Sequence, residues 1–543
     1  METTVSDTLQ RWNDARYTLD QAIQTYLDHT ITLQPDLYSG SFASMHNTTT
    51  QTWLDRMTNP ANDLRFVQAQ AYHNQIRNSF LPINTLPLEI LLRIVHFSAF
   101  HTLYTRYNTA VPNRFDQDKL KNLIVLTHVC THWRKVMLGT QTFWSHFEFN
   151  TKENPERVDE RARAYLERAP DAPLSFYIHE HWERVLKSTH DYHILEHLGA
   201  QVGRLARLTL MQFQNPAVAK DIVMFWMKNG TPGTLRTLII HVVGDHEDSE
   251  IINTRELSVT RERADLLLAP IRVLYLNRLR FDWDSPVYHN LVVLRISRLN
   301  LELSPYIHEI LAVLSACPQL HTLQFSTISI RPSDAGYEPV YLSNLEHFSL
   351  IDVSPESFSL LLPAIFPQSQ NLAVRLNLPE TDTLSGSKKR AVFDSLCLFL
   401  ARTNTTRLFI QELFTIGAVS GAYTYDFSSL LTAVPNLHTL IVHFEHLYGT
   451  LIPDLIRLDE SKGISTPICP RLHTLYIIHA SVSIGVIQQI VEAHHIRKLR
   501  FLDCTFDPSN DKLHSWLTPR VEDTKFYAEL SNAESVDWYH LMD

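Results

Sequence analysis

Pro318-Gln319-Leu320-His321-Thr322-Leu323, Pro435-Asn436-Leu437-His438-Thr439-Leu440 and Pro470-Arg471-Leu472-His473-Thr474-Leu475 are three copies of one hexapeptide. Each continues as alternating residues with apolar members: Gln324-Phe325, Ile441-Val442, Tyr476-Ile477. Alternation at period two is the mark of a strand with one buried face. Looser versions of Leu-x-x-Leu-x-apolar occur at Leu205–Leu210, Leu235–Ile240, Ile271–Leu276, Leu291–Ile296, Leu345–Leu350, Leu408–Ile410 and Ile496–Phe501. Neighbouring copies lie roughly 20 to 36 residues apart, the period of a leucine-rich-repeat-like solenoid. Helical patterns fill the gaps, among them Ile222–Lys228, Ile307–Ala316, Phe358–Phe366 and Val486–Ala493. A strand-plus-helix unit of this size cannot bury its own apolar face. Stacking such units makes one continuous core behind a parallel sheet. The spacing is uneven and the consensus asparagine is usually missing, which predicts an irregular solenoid over residues 204–508. Residues 509–543, with Trp516, Phe526, Tyr527, Trp538 and Tyr539, read as its terminal cap.

Upstream, a different pattern takes over. In Leu86-Pro87-Leu88-Glu89-Ile90-Leu91, Pro87 suits the start of a helix, where its missing N–H would be unpaired anyway. Glu89 places a carboxylate in the first turn. Leu86, Ile90, Leu91 and Ile94 recur at helical spacing, and Leu88, Leu92 and Val95 make a second apolar face, so one face is left needing a partner. A further helical stretch, Leu123 to Val136, carries Leu126, Val129, Cys130 and Trp133, and Phe143-Trp144-Ser145-His146-Phe147 closes the region.

The succession of an "LPxEIxxxI" segment, a "VCxxWR" segment and a terminal "FW" resembles an F-box, the three-helix module by which substrate receptors dock onto the Skp adaptor of SCF ubiquitin ligases. The resemblance covers Ile83 to Phe147, about an eighth of the chain, and departs from compact F-boxes in the polar insert His101 to Asp118. Its implications are a helical bundle over 81–148 and an adaptor surface formed by Leu86, Pro87, Ile90, Leu91, Ile94, Val129, Cys130 and Trp133. Through the adaptor it implies a cullin as the next partner. With a repeat array behind it, the layout is similar to that of the F-box/leucine-rich-repeat receptors common in mushroom-forming fungi. The function then expected is non-enzymatic: the F-box holds the ligase and the array holds a target protein of unknown identity.

The remaining segments are residues 1–80, two helical candidates expected to brace the F-box (Leu9, Trp12, Leu19, Ile23 and Tyr26 on one, Leu64 to Asn78 the other), and 149–203, a connector with a short strand at Leu174–Ile178. The chain is long enough for more than one domain or one extended array, at 543 residues. A net charge of −10 excludes a general nucleic-acid binder, which needs a basic face. No apolar run approaches the ~18 residues of a membrane span. The five cysteines are widely spaced and include no CxxC pair, as expected of reduced thiols in the cytoplasm or nucleus. The sequons at Asn47 and Asn404 read as idle matches.

Two motifs offer chemistry. His193-Ile194-Leu195-Glu196-His197 matches the H-x-x-E-H pattern of inverted zinc peptidases, so a zinc hydrolase using His193, Glu196 and His197 is the enzyme alternative. With 28 histidines in the chain a chance match is unsurprising, and no peptidase domain surrounds it. His321, His438 and His473 share one repeat position, which reads as repeat scaffold. No phosphate loop, nucleophile elbow or cofactor fingerprint is present, and neither a cofactor nor a metal is expected. A repeat-based interaction scaffold without any link to ubiquitin is the third reading.

Overall fold

The computed structural model describes residues 10–22, 81–106, 118–150, 154–180, 201–243, 250–252, 260–334, 336–378, 386–412, 427–443, 446–447, 456–459, 464–478, 480–507 and 511–527, with isolated positions before residue 81 and at 199. The chain forms two compact units, Met1–Leu91 and Leu92–Asp543. In the first, residues 10–22 are helical, with Trp12 half-buried and Leu19 exposed. Of the apolar face expected of a brace, Leu9, Ile23 and Tyr26 lie outside the described residues. The Leu64–Asn78 helix lies outside the described residues, apart from isolated positions. A short 3₁₀ turn, Pro82–Thr85, precedes helix α1, Leu88–Arg106, and the boundary between the units falls within α1.

The second unit is built on a sheet of fourteen strands, each hydrogen-bonded to the next in chain order. They are β1 His146–Asn150, β2 Leu174–His179, β3 Leu205–Phe213, β4 Thr237–Val242, β5 Val273–Asn277, β6 Val293–Ser297 and β7 Thr322–Ser326. There follow β8 His347–Ile351, β9 Leu372–Leu378, β10 Thr405–Glu412, β11 Thr439–His443, β12 Thr474–Ile478, β13 Lys498–Leu502 and β14 Asp523–Tyr527. Every pairing in this sheet is parallel. The described helices that follow α1 are α2 Asp118–Thr127, α3 Thr131–Gly139, α4 Pro155–Arg168, α5 Pro216–Asn229, α6 Arg261–Leu268 and α7 Ile307–Ser315. Then come α8 Pro355–Ala364, α9 Gly386–Ala401, α10 Phe427–Thr432, α11 Ile484–His494 and α12 Asp511–Leu517.

Register explains why the leucine pattern was readable. Leu323 pairs with Leu294 on one side and Phe348 on the other, while Leu440 pairs with Leu408 and Leu475, and Leu475 with Leu499. All of these side chains are fully buried. A second buried ladder runs two residues later, through Ile296, Phe325, Leu350, Leu376, Ile410, Val442 and Ile477. Two inward side chains per strand, repeated across the sheet, give the solenoid its continuous core. The sheet also extends beyond 204–508. It begins at His146, within the stretch assigned to the F-box, takes in the connector's strand β2, and ends on β14 inside the segment read as a cap.

Helix starts use a simple grammar. Asn154 and Asn215 accept the backbone N–H two residues on at 2.9 Å, each with proline in the first helical position, and Ser354-Pro355 repeats the device at α8. The strand exits are less usual. Arg278, Arg298, Thr327, Asp352 and Asp503 each follow a strand directly and adopt the left-handed conformation, with φ between 49° and 60°. The N–H groups of Arg278, Arg298, Thr327 and Asp503 donate to the last carbonyl of the next strand at 2.8–2.9 Å. None of these positions is glycine, although left-handed backbone costs most L-residues about 1–2 kcal/mol. The turn is held by the ladder bond rather than by local preference.

Candidate docking surfaces

In the first unit Pro87 is exposed and its carbonyl accepts the N–H groups of Ile90 and Leu91 at 3.0 and 3.1 Å, which launches α1 as the proline pattern predicts. Leu86 is half-buried, Ile90 is 44% exposed, and Leu91 is buried. Leu88, on the other apolar face read from the sequence, is 50% exposed. The described positions therefore split the sequence-derived face: Leu91 turns inward while Ile90 stays in water.

In the second unit, Ile94 is half-buried and Val95 fully buried. Helices α2 and α3 pack against each other. Arg134 clamps the turn between them, its Nε donating to the Thr127 carbonyl at 3.0 Å and its Nη2 lying 3.2 Å from His128 Nδ1. Cys130 is the half-buried N-cap residue of α3, with extended backbone and a carbonyl that accepts the Arg134 N–H at 2.9 Å. Trp133 is only 7% exposed, and with Leu123 and Met137 it belongs to the core. Among the described residues of this helical segment the exposed apolar side chains are Phe97 at 60%, Ile124, Val125 at 61%, Val129 at 54% and Leu138. Of the residues predicted for this unit, Val129 faces solvent and Trp133 does not. The insert His101–Asp118 is helical to Arg106, and 107–117 lie outside the described residues. The closing Trp144 donates its Nε1 to the Met137 carbonyl at 2.8 Å and meets Tyr165 of α4 edge-on at 5.1 Å, with Arg168 over its ring.

His146, the first residue of β1, is buried, and that burial pushes its ring down to about 3, with the charges of Arg207 and His96 adding in the same direction. The repeated histidines act through their backbones. The His321 carbonyl accepts from Glu346 and His347, that of His438 from His473 and Thr474, and that of His473 from Arg497 and Lys498, at 2.8–3.1 Å. Their spacing follows the repeat, and the His438 and His473 rings stack at 5.5 Å. Asn404 is part of a turn ladder. Its amide donates to the Gln370 carbonyl and its Oδ1 accepts from Asn436 at 2.9 Å, while Thr405 and Thr406 are buried, so this sequon is occupied by structure.

His193, Glu196 and His197 lie outside the described residues. Among the described residues no group of three or more histidine, cysteine, aspartate or glutamate side chains is arranged to hold a metal. Likewise no described helix is long and apolar enough to cross a membrane. Cys317 accepts the Leu291 N–H and donates to the Tyr288 carbonyl, and burial raises its thiol to about 11; Cys469, also buried, is raised to about 12. Both are structural and protonated.

The other face of the sheet presents three outward positions per strand. At its C-terminal end Ala373, Phe409, Ile441, Tyr476, Ile478 and Leu502 form a buried cluster apart from the leucine core. Arg375 sits over the Phe409 ring at 4.8 Å and Lys498 over Tyr476 at 5.5 Å. No sequence signal identified this face, because its residues lie about a repeat apart in the chain.

No family model matches the chain, and no curated protein does. Among solved structures, an internalin (InlF) from Listeria monocytogenes matches 62% of this chain and 89% of its own, at 12% identity and a TM-score of 0.25. Superposition at that level carries no argument, and the fold rests on the strand register.

Proposed function

We propose that this chain is the substrate-recognition subunit of an SCF-type cullin–RING ubiquitin ligase, with its helical segment docking the Skp adaptor and its repeat array holding a target protein. The observation that carries the reading is the exposure of Ile124, Val125, Val129 and Leu138 on α2, α3 and their turn. Exposed aliphatic side chains of this kind point to a partner, and they fall inside the segment that resembles an F-box. The mechanism is proximity: no catalytic side chain is required of this chain, because tethering raises the effective concentration of the target's lysines near the charged conjugating enzyme. Such a receptor works in the cytoplasm or nucleus.

The test is capture of purified Skp adaptor by the full chain and by Val125→Glu/Val129→Glu. Both positions are more than half exposed, so the melting temperature should hold while capture falls by about a hundredfold, the combined loss of two interface anchors. Equal capture by the two proteins would remove the ubiquitin-ligase reading. A second reading, an interaction scaffold unconnected with ubiquitin, is supported by the fold alone and would then stand.

A further inference from the structure

The outward face of the sheet contains no carboxylate over most of its length. On the twelve strands β2 to β13, none of the three outward positions is aspartate or glutamate, while six are cationic: Arg207, Arg295, Arg375, Arg407, Lys498 and Arg500. The chain as a whole has the opposite bias, with 58 acidic residues against 48 basic ones. Acidic residues are thus segregated away from this face.

The register sharpens the picture at its C-terminal half. Arg407, Thr439, Thr474 and Lys498 stand side by side on β10, β11, β12 and β13. Arg407 and Lys498 are half-buried, and the two threonines between them are nearly buried. At about 4.8 Å per strand, the two cations lie roughly 14 Å apart. An extended chain crossing the strands, at about 3.3 Å per residue, spans that distance in four residues. The buried apolar cluster beside this row lowers the local dielectric, which strengthens any charge pairing made there. The face carries a carboxylate at each edge, Glu148 on β1 and Asp523 on β14; Asp523 stands in register beside Lys498 and is bound by Arg500, whose hydrogen bond and charge lower its pKa.

We propose that this face, centred on the row Arg407–Thr439–Thr474–Lys498, binds an extended acidic segment of the target protein, with carboxylates about four residues apart meeting Arg407 and Lys498. The proposal rests on the reading of the repeat array as the target-binding part of the chain. Protein is favoured over nucleic acid because the chain is net negative and Arg295, Arg375 and Arg500 are nearly buried, whereas phosphate backbones are met by many exposed cations.

The experiment is fluorescence anisotropy on the purified full chain without adaptor, so that its outcome is independent of adaptor capture. The probe is a short fluorescein-labelled peptide alternating glutamate with serine, compared with its glutamine counterpart and with an oligothymidylate. The glutamate peptide should bind, the glutamine peptide should not, and added salt should weaken binding. Arg407→Glu/Lys498→Glu should weaken it by about tenfold or more, as reversal of charges facing a ligand does. Lys228→Glu, on the exposed surface of α5, should leave it unchanged. Arg407→Gln/Lys498→Gln, with an unaltered melting temperature, serves if the reversal disturbs folding, and should lose most of the same affinity. Equal binding of the glutamate and glutamine peptides, or of wild type and both variants, would overturn the proposal. So would tighter binding of the oligothymidylate. Residues 528–543 carry four carboxylates and no lysine or arginine. Peptide binding seen only after their removal would assign the face to the chain's own tail and overturn the partner.

Discussion

Thr327 should be more stable as glycine. It follows β7 with φ 51°, its side chain is exposed, and its N–H donates to the Ile351 carbonyl at 2.8 Å. Left-handed backbone costs an L-residue about 1–2 kcal/mol, with β-branched residues such as threonine at the upper end. Glycine removes that strain but loses more chain entropy on folding, about 0.5–1 kcal/mol. The difference leaves Thr327→Gly more stable by roughly 0.5–1 kcal/mol, with the ladder bond untouched. Asp352 is the control. It has φ 49°, but aspartate tolerates this conformation and its carboxylate accepts a hydrogen bond from Asn377 Nδ2, which glycine would delete. Urea unfolding of the two variants should move the midpoint up for Thr327→Gly and down for Asp352→Gly. A midpoint lowered equally in both would refute the account of the strand exits, because it would mean that the residue, and not the ladder bond, holds the turn.

Two further outcomes follow from buried groups. Because His146 is held down to about 3, the native chain leaves it neutral while the unfolded chain protonates it near 6.5. Its contribution is complete above pH 6.5 and is lost as pH falls toward 3, at about 1.4 kcal/mol per pH unit; His146→Phe should flatten the fall in urea midpoint, and an unchanged slope would count against the buried neutral ring. A thiol reagent applied to the native chain should leave Cys317 and Cys469 unmodified while reaching the half-buried Cys130, Cys397 and Cys504, and prompt labelling of either buried thiol would show that the repeats open there.

The leucine repeats were legible because one residue type, at period two within a strand and at a repeat spacing between strands, carries the register directly, as Leu323, Leu440 and Leu475 do. Strands β1 and β2 were harder, since Phe147, Phe149 and Phe176 replace the leucines and stack on one another at 5.1–6.5 Å. Strand β14 has Thr524 where a leucine is expected. The left-handed exits carry no glycine to announce them. Trp133 shows the limit of helix reading: spacing places it on an apolar face, but only packing decides that this face is inside and that Val125 and Val129 are outside. The charge bias of the sheet was invisible for another reason. Arg407 and Lys498 are ninety-one positions apart in the chain and become near neighbours only through three strand pairings.

Hydrogen exchange of the full chain with and without purified Skp adaptor addresses the central functional claim most directly. Adaptor binding over exposed Val125 and Val129 should slow exchange across α2, α3 and their turn, while strands β3 to β13 exchange as before. Unchanged exchange over 118–139, or protection confined to the sheet, would contradict it.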